Sequence, residues 1–310
     1  MKISRIRIIR STVGVMLFVT SVVAFGQNVA DPHFRVRITD PLSETDKGSL
    51  IYFDVAHNNP FSIHGQYKAF ADVLRADGYR LVECDEKITR DILTQASLYV
   101  SVNALNDWTD WKLANQSVYS EEEIEALYRW VHDDGGSLFL ITDHMPAAGA
   151  IRSLAGRFGF NVINGFTQRM ENQPEMFYRR MAQVLASPAT DYRNREVDSL
   201  RGWGGSAFLS PKEALVFLQL GDQFRLYLPT QEADMRNAQR GSVAYIDGRH
   251  LNTGALLACG KGRVCLCSNG SLFAALLHGV NSVPRGMNDP AAKQHIHLLR
   301  NIVQWLDGQF

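Results

Sequence analysis

The chain has 310 residues, with 32 lysines and arginines against 32 aspartates and glutamates, and 45% of it is hydrophobic. It contains no basic stripe of the kind a phosphate backbone requires, which excludes a nucleic-acid-binding protein. A chain this long and apolar can bury a large core, in one elaborated domain or two closely joined ones.

The first 26 residues read as a secretory signal peptide. Lys2, Arg5, Arg7 and Arg10 make a basic start, and Val13 to Phe25 is an apolar stretch too short to cross a bilayer comfortably. Ala24-Phe25-Gly26 offers small residues at the two positions a signal peptidase reads, so cleavage is expected before Gln27. Cleavage would leave 28 basic against 32 acidic residues, a net charge of −4. The expectation is a periplasmic or secreted protein with no membrane span after cleavage.

Residues 27–48 are polar and mixed, and read as an extended leader. An alternating pattern then begins. Leu50 to Phe53 is a short apolar strand ending at Asp54; Tyr67, Phe70, Ala71 and Leu74 form the stripe of an amphipathic helix that stops at Gly78. Tyr79–Cys84 and Ser97–Val102 are further strands. Ser120-x-x-Glu123 is a capping box, followed by Ile124, Leu127, Tyr128 and Val131 on one face and by Gly135-Gly136 as a stop. Leu138 to Ile141 is a continuous apolar run, as in a strand covered on both faces. Such alternation implies right-handed crossovers and a parallel sheet.

The pattern is lost between about 160 and 210, which reads as a long insertion or lid. Beyond it, Leu215–Leu220 and Phe224–Leu228 are expected to pair as a hairpin around Gly221-Asp222-Gln223. Val243–Ile246, Gly254–Cys259 and Arg263–Cys267 read as strands, and Leu299, Ile302, Val303 and Leu306 mark a closing helix. Cys84, Cys259, Cys265 and Cys267 include no C-x-x-C pair. Cys259 and Cys265 flank a turn and could form a cross-hairpin disulfide; the competing reading makes all four small buried hydrophobes.

In open α/β sheets, ligands bind beyond the carboxyl ends of the strands. Those ends deliver Asp54, His57 and Asn58; Asn103 and then Trp108 and Trp111; Asp143 and His144; and Ser268-Asn269. A carboxylate beside an imidazole orients the ring and raises its basicity, so Asp54, His57, Asp143 and His144 are candidate catalytic residues. The same side chains are ordinary metal ligands, and also ordinary loop caps. Asn58, Asn103, Trp108, Trp111 and Asn269 are candidate substrate contacts, the tryptophans as a platform for a sugar ring or simply as loop packing. Arg179, Arg180, Arg193 and Arg195 suit either an anionic substrate or a solvated basic face. His295 and His297, two apart on a helix, cannot share a face. No nucleophile elbow, dinucleotide fingerprint or phosphate-cradling loop occurs, so no cofactor is expected.

The segments Phe53-Asp54-Val55-Ala56-His57-Asn58-Asn59-Pro60-Phe61, Ile141-Thr142-Asp143-His144-Met145-Pro146, Gly286-Met287-Asn288-Asp289-Pro290 and Asn301 to Leu306 resemble an exported bacterial branch of the class I glutamine amidotransferase-like superfamily, related to the domain of gliding-motility transporter accessory proteins. The resemblance spans about 48–170 and 240–308. It implies a flavodoxin-like three-layer α/β sandwich with a mostly parallel sheet over residues 49–310. Thr142-Asp143-His144 occupies the turn where amidotransferases carry their cysteine, so thiol-dependent glutamine hydrolysis is not implied. The branch is also expected to carry an acidic residue near Ser268-Asn269, which this chain lacks. Two functions fit: a hydrolase acting on a carbohydrate or envelope glycan through the Asp/His residues, and a non-catalytic ligand-binding or accessory protein using the same cleft. Histidines that face one cleft with free ring nitrogens would favour the first, and histidines that cap loops the second.

Overall fold

The computed structural model of the chain describes residues 28–107, 116–170, 173–231, 234–235 and 241–309. The expected signal peptide, residues 1–26, lies outside them, as do Trp108 and Trp111. In chain order the elements are β1 (Asn28–Ala30), β2 (Leu50–Asp54), α1 (Lys68–Ala76), β3 (Arg80–Cys84), α2 (Arg90–Leu93), β4 (Leu98–Val102), α3 (Glu121–Arg129), β5 (Ser137–Ile141), α4 (Ala147–Ala150) and α5 (Arg152–Arg157). Then follow β6 (Asn161–Ile163), β7 (Phe166–Arg169), β8 (Met176–Tyr178), β9 (Asp191–Tyr192), β10 (Arg195–Glu196), β11 (Ser199–Arg201), β12 (Ala207–Leu209), β13 (Leu215–Gln219), β14 (Phe224–Tyr227) and β15 (Tyr245–Asp247). The chain closes with β16 (Asn252–Cys259), β17 (Gly262–Cys267), β18 (Ala275–His278), β19 (Val283–Gly286) and α6 (His295–Leu306).

The largest sheet has nine strands, in the order β3-β2-β4-β5-β17-β16-β12-β6, with β13 also paired to β16. Only its first half is parallel: β3, β2, β4, β5 and β17 run together. At Gly260-Lys261 the chain reverses in a tight turn between β16 and β17, and strands joined in that way must be antiparallel. From β16 outward every pairing is antiparallel. Four smaller sheets, β1-β18-β19, β7-β14-β15, β8-β11 and β9-β10, are antiparallel as well. The fold is therefore a mixed α/β domain with many short strands, and the flavodoxin-like, mostly parallel three-layer sandwich is not formed.

The hairpin expected around Gly221 does not form either. β13 lies on β16, while β14 pairs with β7 and β15. Val216 and Leu218 find apolar cover on the large sheet that a free two-stranded ribbon could not give them. Residues 160–210 are woven into this scheme: β6 and β12 form an edge of the large sheet, and β8 and β11 form a ribbon beside it.

Burial explains which strands sit centrally. Every residue of β4 and of β5 is buried, because both faces of the sheet are covered there. One face carries Phe53, Val100, Phe139 and Cys265 against α1 and α6; the other carries Tyr99, Leu138, Leu140 and Leu266 against α3 and α5. The capping box starts α3 as its sequence requires: the Ser120 hydroxyl accepts from the Glu123 amide at 3.3 Å, and Glu123 accepts from the Ser120 amide at 3.0 Å. The helix runs on into a π-turn over Trp130–Asp134 and stops at Gly135, φ 88°. The polar leader is tied down at several points. β1 pairs with β18, and the buried Arg300 on α6 donates to the Asp40 carboxylate at 2.9 Å. Among the described residues, no helix is long and apolar enough to cross a membrane.

Candidate functional site

Asp54, Asn103, Asp143 and Asn269 leave β2, β4, β5 and β17 at one edge of the parallel half, where the alternating pattern places them. The side chains then part company, because alternate residues of a strand point to opposite faces.

Asp54 follows Tyr52 onto the α3 face. It is fully buried and accepts from the Ser101 hydroxyl at 2.8 Å, the Tyr119 hydroxyl at 3.3 Å and the Ala56 amide at 3.1 Å. His57 lies within the turn that Asp54 closes: its Nδ1 is 2.8 Å from Asp54 Oδ1, and its Nε2 is 3.3 Å from Glu123 Oε1. The ring packs on Tyr119, centroids 4.5 Å apart, and is only 7% exposed. Burial alone would lower its pKa, but the hydrogen bond and charge of Asp54 and the charge of Glu123 outweigh burial and raise it. His57 is an imidazole clamped between two carboxylates, with both ring nitrogens engaged by protein groups.

Asp143 follows Ile141 onto the opposite face. Its Oδ2 accepts from Asn103 Nδ2 at 2.7 Å, and its own amide donates to Asn103 Oδ1 at 2.7 Å, a reciprocal clamp between β4 and β5. Its Oδ1 accepts from the Gly270 amide at 2.7 Å. Asn103 has a left-handed φ of 48°, a conformation Asn tolerates better than most residues. Gly270 is needed for close approach: a methyl there would lie 2.9 Å from the Tyr67 hydroxyl and 3.1 Å from Asp143 Oδ2.

These residues line a cavity of about 410 Å³ together with His144, Ser271, Trp203 and Arg285. His144 Nδ1 is 2.6 Å from the Met145 carbonyl, and its ring stacks on Phe166 at 4.4 Å. Tyr67 closes the floor, donating to the Gly270 carbonyl at 2.7 Å. Glu175 stands behind this wall. Its Oε2 accepts from the Gly204 amide at 2.7 Å, and a methyl on Gly202 would touch both Glu175 Oε2 and Asn269 Nδ2. Burial pushes the Glu175 carboxyl up to about 7, against the opposing pull of the Gly204 amide and of Arg201 and Arg285.

The structure thus brings Asn103, Asp143 and His144 into one cavity and sets Asp54 and His57 in a separate buried network, so the four catalytic candidates do not form a single constellation. The exposed Asn58 bridges two loops, its Nδ2 donating to the Asn106 carbonyl at 3.2 Å. Asn269 is buried and accepts from the Ser271 hydroxyl at 2.8 Å. Arg179 is paired with Asp191 and Asp198, while Arg195 is buried on Asn301 and Gln304 of α6, so neither faces the cavity. All four cysteines are free: Cys259 pairs across the hairpin with Gly262 and not with Cys265. Burial raises the pKa of Cys265 well above the usual thiol range and that of Cys267 to about 12. Among the described residues no group of three or more His, Cys, Asp or Glu side chains could hold a metal.

Sequence reasoning missed Trp203, Glu175 and Arg285. Gly202-Trp203-Gly204-Gly205 lies far along the chain from the strand ends, and only tertiary contacts such as that of Ser206 with the Ser268 carbonyl bring it to them. Glu123 was legible as a cap and carries a second role on His57.

No protein-family model matches the chain, and no curated protein matches it by sequence. Solved structures share its fold. The mmIFT52 N-terminal domain has a TM-score of 0.56 at 12% identity, over 83% of this chain and 97% of that one. A cytoplasmic protein from Salmonella typhimurium LT2 has a TM-score of 0.50 at 8% identity, over 83% of this chain and 98% of that one. A β-galactosidase from Bacillus circulans sp. alkalophilus is more distant, at 0.40 and 11%, over 84% of this chain and 30% of that one. For the first two the likeness is one of fold alone, a mixed α/β domain.

Proposed function

We propose that this chain is an exported member of the amidotransferase-like superfamily that has lost thiol chemistry and holds a small polar ligand of carbohydrate type in the cavity beside Asp143. One observation carries the reading: His57 is closed off between Asp54 and Glu123, while Asn103, Asp143, His144, Ser271 and Trp203 line an open cavity at the strand ends. An indole with convergent carboxylate, amide and hydroxyl groups is the usual composition of a site for a polyhydroxylated ring. The Asp143 oxygens each accept one protein hydrogen bond and keep a lone pair for a ligand hydroxyl.

Titration calorimetry against a panel of mono- and disaccharides tests this. Binding by the wild type should be lost in Asp143→Asn and in Gly270→Ala and kept in His57→Gln. Retention of binding in both cavity variants would defeat the reading.

A second reading, hydrolysis of a glycan, draws on Glu175. Burial pushes this carboxyl up to about 7 and so favours its protonated form, which suits a general acid. In this version Glu175 takes the role that His57 cannot. Release of reducing ends from envelope glycan fragments, lost in Glu175→Gln, would favour it over simple binding.

A further inference from the structure

We propose that the ligand of this cavity carries a single carboxylate, seated on Arg285, with its hydroxyl groups read by Asp143 and Asn103. The proposal rests on the cavity being a ligand site and adds the charge and chemical class of what enters it.

Arg285 lies on β19, opposite Leu276 of β18, and both line the cavity. The strand is held close to the wall by Gly286. Its φ is +101°, and a methyl there would lie 2.1 Å from the Ala274 carbonyl oxygen and 2.9 Å from that of Ser271. Only glycine permits that approach, so the position of Arg285 at the cavity is built into the backbone.

Despite its half-buried position, the Arg285 guanidinium makes no hydrogen bond or ion pair with any described residue. Asp143 and Glu175 act on it through charge alone, and Arg201 opposes them. This is unusual for a partly desolvated arginine, whose five donors normally find acceptors. Arg201 beside it is also incompletely used. It reaches Asp289 only at 4.0 Å, lies 5.3 Å over the Trp203 ring, and its Nη1 is buried without a hydrogen-bond partner. The Arg285 guanidinium at the cavity wall therefore holds surplus donor capacity of the planar type that grips an oxyanion, with Arg201 behind it.

A carboxylate fits better than a phosphate. Asp143 puts negative charge on the same wall, and a dianion would meet it at close range in a half-buried site. A singly charged planar carboxylate matches one guanidinium fork, and Asp143 is then free to accept from hydroxyls. Uronic acids and related hydroxy-acids combine these features.

The test is calorimetry on the intact protein with D-glucuronate, D-glucose and inorganic phosphate as probes, using wild type, Arg285→Met, Arg285→Lys and Asp143→Asn. Glucuronate should bind about 10- to 100-fold more tightly than glucose, and Arg285→Met should remove that preference, the range expected for one charge-assisted bidentate pair. Arg285→Lys, which keeps the charge but not the fork, should restore only part of it, and covers the case in which the Met variant fails to fold. Glucose and glucuronate binding equally, both abolished by Asp143→Asn and untouched by Arg285→Met, would overturn the carboxylate and leave the cavity reading standing. Phosphate binding more tightly than glucuronate would overturn it as well. Failure of every probe to bind at about 10 mM would overturn both.

Discussion

His57 Nδ1 lies 2.8 Å from Asp54 Oδ1, and the far side of the same ring meets Glu123. Three residues that a sequence reading assigns to chemistry and to helix capping form one buried salt-bridge network joining the end of β2 to the start of α3. Such a network holds its geometry only while both carboxylates are compensated, because an unpaired buried charge is costly.

The first prediction follows from that cost. His57→Ala should destabilise the protein by about 3 kcal/mol, since it leaves the buried Asp54 and Glu123 carboxylates without the ring that hydrogen-bonds both. Urea denaturation would measure it, and ligand affinity in the folded variant should change by less than about twofold, a difference of some tenths of a kcal/mol. A loss of binding without a loss of stability would return His57 to the functional site.

The second prediction concerns pH. The His57 pKa is raised in the folded state above its ordinary 6.5, so its stabilising effect is complete below that value and is lost as pH rises through the folded value. Glu175 acts in the same direction. Its pKa is raised from 4.5 to about 7, so the folded state holds more protons than the unfolded one across that window, and stability falls as pH rises through it. Unfolding free energies at mildly acidic pH should therefore exceed those at mildly alkaline pH. Glu175→Gln should flatten the lower part of the curve and His57→Gln the upper part. A curve unchanged by either substitution would contradict these assignments.

The third concerns a second buried ion pair. Asp77, at the end of α1, is fully buried and accepts from Arg300 at 2.8 Å, Gln304 at 2.7 Å and the Leu42 amide at 3.0 Å. Arg300→Ala should cost about 3–5 kcal/mol by stranding Asp77. The double variant Arg300→Met with Asp77→Asn should recover much of that loss, because it removes both charges together. Thermal unfolding of the two variants side by side would show whether the pair stabilises as a unit.

The fourth concerns thiols. Cys84, Cys265 and Cys267 are buried and Cys259 is only partly covered, so a thiol reagent added to the native protein should label Cys259 first and the others only on unfolding. A reductant should leave the melting temperature unchanged. Rapid labelling of Cys267, which burial keeps protonated to about 12, would show that the strand end opens to solvent.

Local signals carried a good part of this molecule. The capping box at Ser120 and Glu123, the stripe of α1 ending before Gly78, and the apolar runs of β4 and β5 are short-range patterns that depend on neighbours within one turn or a few residues. They also placed Asp54, Asn103, Asp143 and Asn269 correctly at strand ends. How far the parallel half of the sheet extends was beyond that reach. Which strands continue the sheet beyond β16 depends on which edge is free, and β13 chose β16 over its neighbour in sequence because burial on the sheet outweighs a local hairpin.

The functional residues divide in the same way. Sequence determined that carboxylates and imidazoles would stand at the end of β2 and just beyond β5; the pleat of the strands, together with partners far along the chain, decided that Asp54 turns toward Glu123 and Asp143 toward Gly270. Arg285 gave no local sign of its role, since an arginine in a short strand reads as solvated. Only the tertiary structure sets it at a cavity wall without a hydrogen-bond or ion-pair partner among the described residues, because charge compensation is a property of what packs around a group and not of the residues beside it in the chain.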